Sequence, residues 1–228
     1  MAHSHNPVVM VTGASHGFGS SLVKHFSASG YQVLATARNP PSESTYGVTW
    51  QALDVSSYDQ CSRAIDFGFE KFGRIDVLVN NASGYTGGVT VAEISRDDID
   101  LEIDITLKAP IYLSQLFVNR ARHQKSGKII FISSIAALLR EPDCGFYSVY
   151  SAAKAGLIRF AECLNSDIVS YGMQAHVIVP CNMRDVSDQA ELEKEKAVSY
   201  DSVARLAVQI TRQEGNLSLG NVILQPAR

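Results

Sequence analysis

Cysteine is scarce and scattered in this sequence. Cys61, Cys144, Cys163 and Cys181 form no Cys-x-x-Cys pair, so neither a zinc site nor a redox motif is indicated, and buried reduced thiols are expected. Runs of Lys or Arg are missing too. The formal charge of -3 is spread along the chain, leaving nothing to neutralise the phosphates of nucleic acid or an anionic lipid surface. No apolar stretch is long enough to cross a bilayer, because the longest, Ile129 to Leu139, is broken by Ser133 and Ser134. Met1 to Pro7 carries neither the basic patch nor the apolar segment of a secretion signal. Together these absences predict a soluble cytoplasmic protein without nucleic-acid or membrane partners.

What is present is the balance of an ordinary globular chain, 46% hydrophobic and 19% charged. Its 228 residues can bury a core without staples, and no repeat, low-complexity tract or linker divides them, so residues 1–228 read as one domain. Val8 to Thr12 reads as a strand, after which Phe18, Leu22, Val23 and Phe26 recur at helical spacing until Gly30. Further strands are expected at Tyr31 to Ala37, Val48 to Leu53, Ile75 to Asn80, Lys128 to Ile132, Gln174 to Val179 and Asn221 to Gln225. Helices are expected at Tyr58 to Phe72, about Ser148 to Tyr171 and Ser202 to Arg212, the second preceded by a loop with Pro142 and Gly145. Ser95 with Asp98 resembles a capping box opening a long helix that Pro110 should bend or interrupt. This alternation predicts an α/β fold, a doubly wound, mainly parallel sheet with helices on both faces.

In such a sheet the first strand-to-helix turn can bring a pyrophosphate to a helix N-terminus. Thr12-Gly13-Ala14-Ser15-His16-Gly17-Phe18-Gly19 occupies that turn. Gly13 can adopt the positive φ of a tight turn, while Gly17 and Gly19 lack the Cβ atoms that would hold a phosphate away; a close helix crossing is the structural alternative. At the end of the second strand an acidic residue would bond a ribose 2′-hydroxyl and repel a 2′-phosphate. Here stand Ala37 and Arg38, and a guanidinium grips phosphate, so NADP(H) is expected over NAD, with His16 adding a pH-dependent contact. A solvated surface arginine is the plainer reading of Arg38.

Tyr150 and Lys154 lie four residues apart at the start of a helix and share one face. A phenol of pKa about 10 needs its anion stabilised to exchange protons at neutral pH. An ammonium roughly 5 Å away, at an effective dielectric of about 20, supplies about 3 kcal/mol. Tyr147 competes for the role, but lies a rise of roughly 10 Å from Lys154 along an ideal helix, where the field is weaker. It is expected to be a pocket wall.

The Gly-x-x-x-Gly-x-Gly turn and the Tyr150-Ser151-Ala152-Ala153-Lys154 segment resemble the short-chain dehydrogenase/reductase family of Rossmann-fold, nicotinamide-dependent oxidoreductases. The resemblance runs from about Val8 to Pro180. It implies that Gly13, Ser15, His16, Gly17, Phe18 and Gly19 hold the cofactor phosphates, that Asp54 and Val55 contact adenine, and that Asn80-Asn81-Ala82-Ser83 is similar to the family's Asn-Asn-Ala-Gly, placing Asn81 and Ala82 at the cofactor. Read alone, Asp54 is also compatible with a turn and Asn80 with a strand cap. The resemblance further implies that Ser134, with Ser133 as fallback, bonds the substrate oxygen and that Lys154 bonds the nicotinamide ribose. Tyr150 then gives a proton to a carbonyl as hydride arrives, or takes one from an alcohol in reverse. The expected substrate is a small or medium carbonyl or alcohol, and the expected assembly a homodimer or homotetramer.

Several positions depart from the family pattern. Thr106 takes the place of the family's Asn, which supports a water and proton relay. The Ser134-to-Tyr150 spacing is longer than usual, so something is inserted in the pocket wall. The Pro-Gly motif that packs on nicotinamide becomes Pro180-Cys181-Asn182-Met183, Pro180 and Met183 remaining as expected contacts. The substrate-covering segment from Asp188 to Lys196 is short and charged, and is expected to be open or partly disordered. The typical Gly-Gly ending is replaced by Gln225-Pro226-Ala227-Arg228. Two rivals follow: a cofactor-binding sensor that has lost turnover, and an S-adenosylmethionine methyltransferase, which has no need of Tyr150 and Lys154.

Overall fold

The computed structural model describes residues 6–42, 47–138, 146–186, 188–213 and 220–225. Cys144, the loop with Pro142 and Gly145, residues 139–145 of the Ser134-to-Tyr150 stretch expected to carry an insertion, and the last three residues lie outside them. Nine strands are found among the described residues: β1 (Val8–Thr12), β2 (Gln32–Ala37), β3 (Val48–Ala52), β4 (Val77–Asn80), β5 (Gly127–Ile132), β6 (Met173–Pro180), β7 (Asn182–Arg184), β8 (Ala197–Ser199) and β9 (Asn221–Leu224). The helices are α1 (Gly17–Ala28), α2 (Tyr58–Phe72), α3 (Arg96–Ile103), α4 (Ala109–Ala121), α5 (Ser148–Ile168), α6 (Gln189–Lys194) and α7 (Tyr200–Arg212).

Seven strands pair in parallel in the order β3-β2-β1-β4-β5-β6-β9. Alternating side chains of each strand feed opposite faces. On β1, Val8 and Met10 join a core with Cys61 of α2, Phe117 of α4 and Leu157 of α5, whereas Val9 and Val11 join Leu22 and Phe26 of α1 and Val203 and Ala207 of α7. Fully buried side chains such as Phe26, Phe117 and Leu34 each contribute about 1.5–3 kcal/mol of hydrophobic stabilisation. Lys128 ties the sheet to α7, its Nζ donating to the carbonyls of Ile210 (3.3 Å), Thr211 (3.0 Å) and Gln213 (2.5 Å), where a helix end lacks internal partners.

Ser95 opens α3 as expected, its Oγ accepting from Asp98 N at 3.1 Å and donating to the Asp98 carboxylate at 2.7 Å. Pro110 does not end the helical run. Instead a π turn, Asp104–Lys108, joins α3 to α4 just ahead of the proline. The wider turn relieves the press of the proline ring on the carbonyl four residues earlier, that of Thr106.

The expectation of an open or partly disordered cover from Asp188 to Lys196 is corrected. Asp188 caps α6 by accepting from Ala190 N (2.8 Å) and Glu191 N (3.1 Å), β7 pairs with β8, and an Arg184–Glu195 ion pair links the two ends. Leu192 and Ala197 are buried, so this short strand-helix-strand clip has apolar anchors of its own. The chain runs outward to both sides from the neighbouring strands β1 and β4, and the crevice beyond their carboxyl ends is where an open α/β sheet takes its ligand.

Candidate active site

A cavity of ≈ 530 Å³ opens in that crevice. Gly13, Ser15, His16, Gly17, Phe18, Gly19, Arg38, Asp54, Val55, Asn81 and Ala82 all line it, which brings together every expected cofactor-half residue except those on α5, at the end of β6 and on β7. Pro180, buried at the end of β6, and Met183, packed on the α1–α7 core, do not line it. The Phe18 ring faces the core beside Tyr200, centroids 5.8 Å apart, so its backbone is what the turn presents.

The turn is held from behind. Thr12 Oγ1 accepts from the backbone N–H groups of Asn81 and Ala82, each at 3.1 Å, while Asn81 Nδ2 donates to the carbonyls of Thr12 (2.8 Å) and Gly13 (3.1 Å). A Cβ on Gly19 would lie 2.0 Å from the Gly13 carbonyl oxygen, and Gly13 itself sits at φ +63°. Both positions therefore exclude a side chain. At the start of α1 the N-cap His16 makes no side-chain cap and the first turn has no acidic residue, so the helix presents free N–H groups and its positive end. Asp54 doubles as a turn residue, accepting from Ser56 N (3.0 Å) and Ser56 Oγ (2.7 Å).

Ser83 also lines the cavity and connects it to the chemical half. Ser134 and Ser83 both adjoin the Tyr150 hydroxyl and pull its pKa down. Ser83 Oγ lies 3.2 Å from Thr106 Oγ1, so two departures from the family pattern touch each other. Thr106 is fully buried, with Oγ1 accepting from Gly84 N (3.0 Å) and donating to Gly84 O (3.1 Å). Ser133, the fallback, has its hydroxyl committed to the Lys154 carbonyl at 3.0 Å. Lys154 Nζ donates to Ile132 O at 2.7 Å and stands 5.5 Å from the Tyr150 ring centroid.

The electrostatics differ in sign from the simple Coulomb expectation. Burial pushes the Tyr150 hydroxyl above the usual phenol range; hydrogen bonds from Ser134 and Ser83 pull it down and the Glu102 charge pushes it up. Burial also lowers Lys154 from 10.5 to about 7. Between those two values the unfolded chain binds more protons than the folded one, so stability rises with pH across that window and the penalty is complete below about 7. The wild-type unfolding free energy from urea titrations should therefore climb from pH 7 to 9 relative to that of Lys154→Met, by up to about 1.4 kcal/mol per pH unit. Parallel free energies would mean that Lys154 stays charged in the fold.

Sequence reasoning missed Asn39, Leu53 and Ile105 in the cavity wall, and Tyr85 and Glu102 beside Tyr150. An aromatic residue within Gly84-Tyr85-Thr86-Gly87-Gly88, directly after the Asn-Asn-Ala-Ser segment, was the available signal for Tyr85. Glu102 had none, because its approach depends on the packing of α3. Among the described residues no helix is long and apolar enough to cross a membrane and no group of His, Cys, Asp and Glu could hold a metal ion.

A family model described as short chain dehydrogenase matches residues 7–196. The chain is 33% identical over 184 residues to Oxidoreductase BOA17 of Botryotinia fuckeliana, covering 76% of this chain and 65% of that one. It is 28% identical over 242 residues to an acetoacetyl-CoA reductase of an Acinetobacter species, covering 96% of each. The crystal structure of a metagenomic short-chain oxidoreductase in complex with NADP superposes with a TM-score of 0.81 at 25% identity, covering 98% of both chains. With the parallel seven-stranded sheet and the glycine turn in place, the methyltransferase alternative falls away, and the chain belongs to the short-chain dehydrogenase family of oxidoreductases.

Proposed function

We propose that the chain is an NADP(H)-dependent oxidoreductase that interconverts a small or medium carbonyl compound and its alcohol. The observation that carries the reading is the position of Ser83, which lines the glycine-turn cavity and adjoins the Tyr150 hydroxyl, so that a cofactor site and a proton donor lie next to each other. The free N–H groups of α1 and the bare glycines suit a pyrophosphate. Arg38, with no carboxylate beside it in the Ala37-Arg38-Asn39 lining, suits a 2′-phosphate, and Ser15 Oγ, 2.9 Å from His16 Nδ1, holds that imidazole nearby. Bound there, NADP(H) supplies or accepts the hydride.

The residues of the chain do the rest. Tyr150, kept protonated by burial, gives its proton to the oxyanion that develops on the substrate. Ser134, whose Oγ also accepts from Ala136 N at 3.2 Å, orients the substrate oxygen. Ser83, backed by Thr106, flanks the phenol from the cofactor side, taking over part of the role of the family's Asn. Lys154 anchors the ribose and restrains the tyrosine. The same reading places the protein in the cytoplasm as one domain that self-associates into a homodimer or homotetramer.

The test is loss of NADPH absorbance when the purified protein meets a broad panel of ketones and aldehydes. Turnover of any member supports the assignment. NADPH binding without turnover across the panel would favour the sensor alternative.

A further inference from the structure

The groups described so far handle the reacting carbonyl but leave the rest of the substrate unspecified. Beside Tyr150 the surface is aromatic. The Tyr85 ring meets that of Tyr150 edge-on, centroids 5.3 Å apart, and lies nearly parallel to that of Tyr147 at 5.9 Å and 17°. Tyr85 is 49% exposed, Tyr147 40% and the adjoining Phe146 56%. Aromatic side chains carry large apolar faces that are most often covered, so a cluster left open at a candidate catalytic centre suits a ligand that covers it.

This wall is braced. Thr86, next to Tyr85, donates from its N–H (2.9 Å) and its hydroxyl (2.8 Å) to Glu102 Oε1, and Glu102 is only 2% exposed. Gly84 rests so closely on α3 that a Cβ there would lie 3.1 Å from Leu101 O. A Cβ on Gly88 would lie 3.4 Å from the Cβ of Phe146, so the segments carrying Tyr85 and Tyr147 touch. A buried carboxylate is costly to hold, and its two donors offset part of that cost. Its negative field reaches both Tyr85 and Tyr150. That field opposes an anionic substrate.

We propose that Tyr85 and Tyr147 form a stacking subsite that selects neutral aryl ketones and aldehydes, with Glu102 positioning Tyr85 and repelling carboxylated substrates. The proposal rests on the reductase reading above. The reaction is that same reduction: hydride passes to the carbonyl carbon, the Tyr150 proton to its oxygen, and NADPH is oxidised to NADP as the aryl alcohol forms.

Steady-state kinetics with acetophenone, cyclohexyl methyl ketone and 4-acetylbenzoate test it, with NADPH fluorescence titrations as a readout independent of turnover. An aromatic pair predicts a KM for acetophenone about three- to tenfold below that of the cyclohexyl ketone. For 4-acetylbenzoate the KM should lie above that of acetophenone, and Glu102→Gln, which keeps an acceptor for Thr86, should narrow that gap. Tyr85→Leu keeps apolar bulk but removes the ring, so it should erase most of the acetophenone advantage through KM more than kcat, at unchanged NADPH affinity. Tyr147→Leu is the second variant should the first not fold. Equal KM values for the two neutral ketones in the wild type, or an advantage that survives both variants, would overturn the subsite and leave the reductase reading standing. NADPH binding with no ketone reduced would overturn the reductase reading, and the subsite with it.

Discussion

Replacing Tyr150 with phenylalanine should lower kcat by about 10²–10⁴-fold, the range for loss of a positioned general acid, while NADPH affinity stays within about twofold. The substitution removes one oxygen and leaves the ring that packs against Tyr85. Ser134 and Ser83 lose their shared partner but remain to bind a substrate oxygen, which is why binding should outlast turnover. Because burial raises the phenol, it arrives protonated at neutral pH, and the loss should be fullest in the direction of carbonyl reduction. The measurement is kcat and KM in both directions beside an NADPH titration. Activity above about a tenth of wild type would remove Tyr150 from the role and direct attention to Tyr147, the other phenol in contact with Tyr85.

The cofactor half carries the second large effect. Arg38→Asp should weaken NADPH binding by about a hundredfold and improve NADH binding, so that the preference inverts. Two charge-assisted hydrogen bonds from a guanidinium to a 2′-phosphate contribute on the order of 3 kcal/mol, and each 1.4 kcal/mol is about tenfold. An aspartate would repel that phosphate and offer an acceptor to a ribose hydroxyl instead. Arg38 is exposed, so the titration belongs at one fixed, low ionic strength. Unchanged discrimination, or equal efficiency with both cofactors, would mean that Arg38 is only a solvated surface residue.

Strand and helix order was legible because Val8 to Thr12, Val33 to Ala37 and Ile129 to Ile132 are apolar runs buried on both faces, between segments with clear helical spacing. The glycine turn was legible because its need for bare backbone is local. The clip formed by β7, α6 and β8 was not, since three-residue strands carry no periodicity and their pairing, Asn182 with Ala197, depends on where the chain returns. The π turn escaped because Pro110 signals strain without saying how a helix absorbs it. The Lys154 shift escaped for a different reason. Spacing fixed its distance to Tyr150, but the burial that decides its charge is a property of the assembled core.

The interior place of β1, flanked by β2 and β4, bears on how the protein assembles. Val9 pairs with Val33 on one side and with Val77 on the other, and every ladder in the large sheet is parallel, so each joins residues far apart along the chain. Contacts of that kind close large loops before they are rewarded, which places folding in the slower class and leaves strand edges open meanwhile. The stretch made early, Val8 to Thr12, ends up inside the sheet, beside its middle strand β4. During synthesis it must wait for β4 before its second edge is covered, and a cell making this protein has to keep that edge from another nascent copy in the interval.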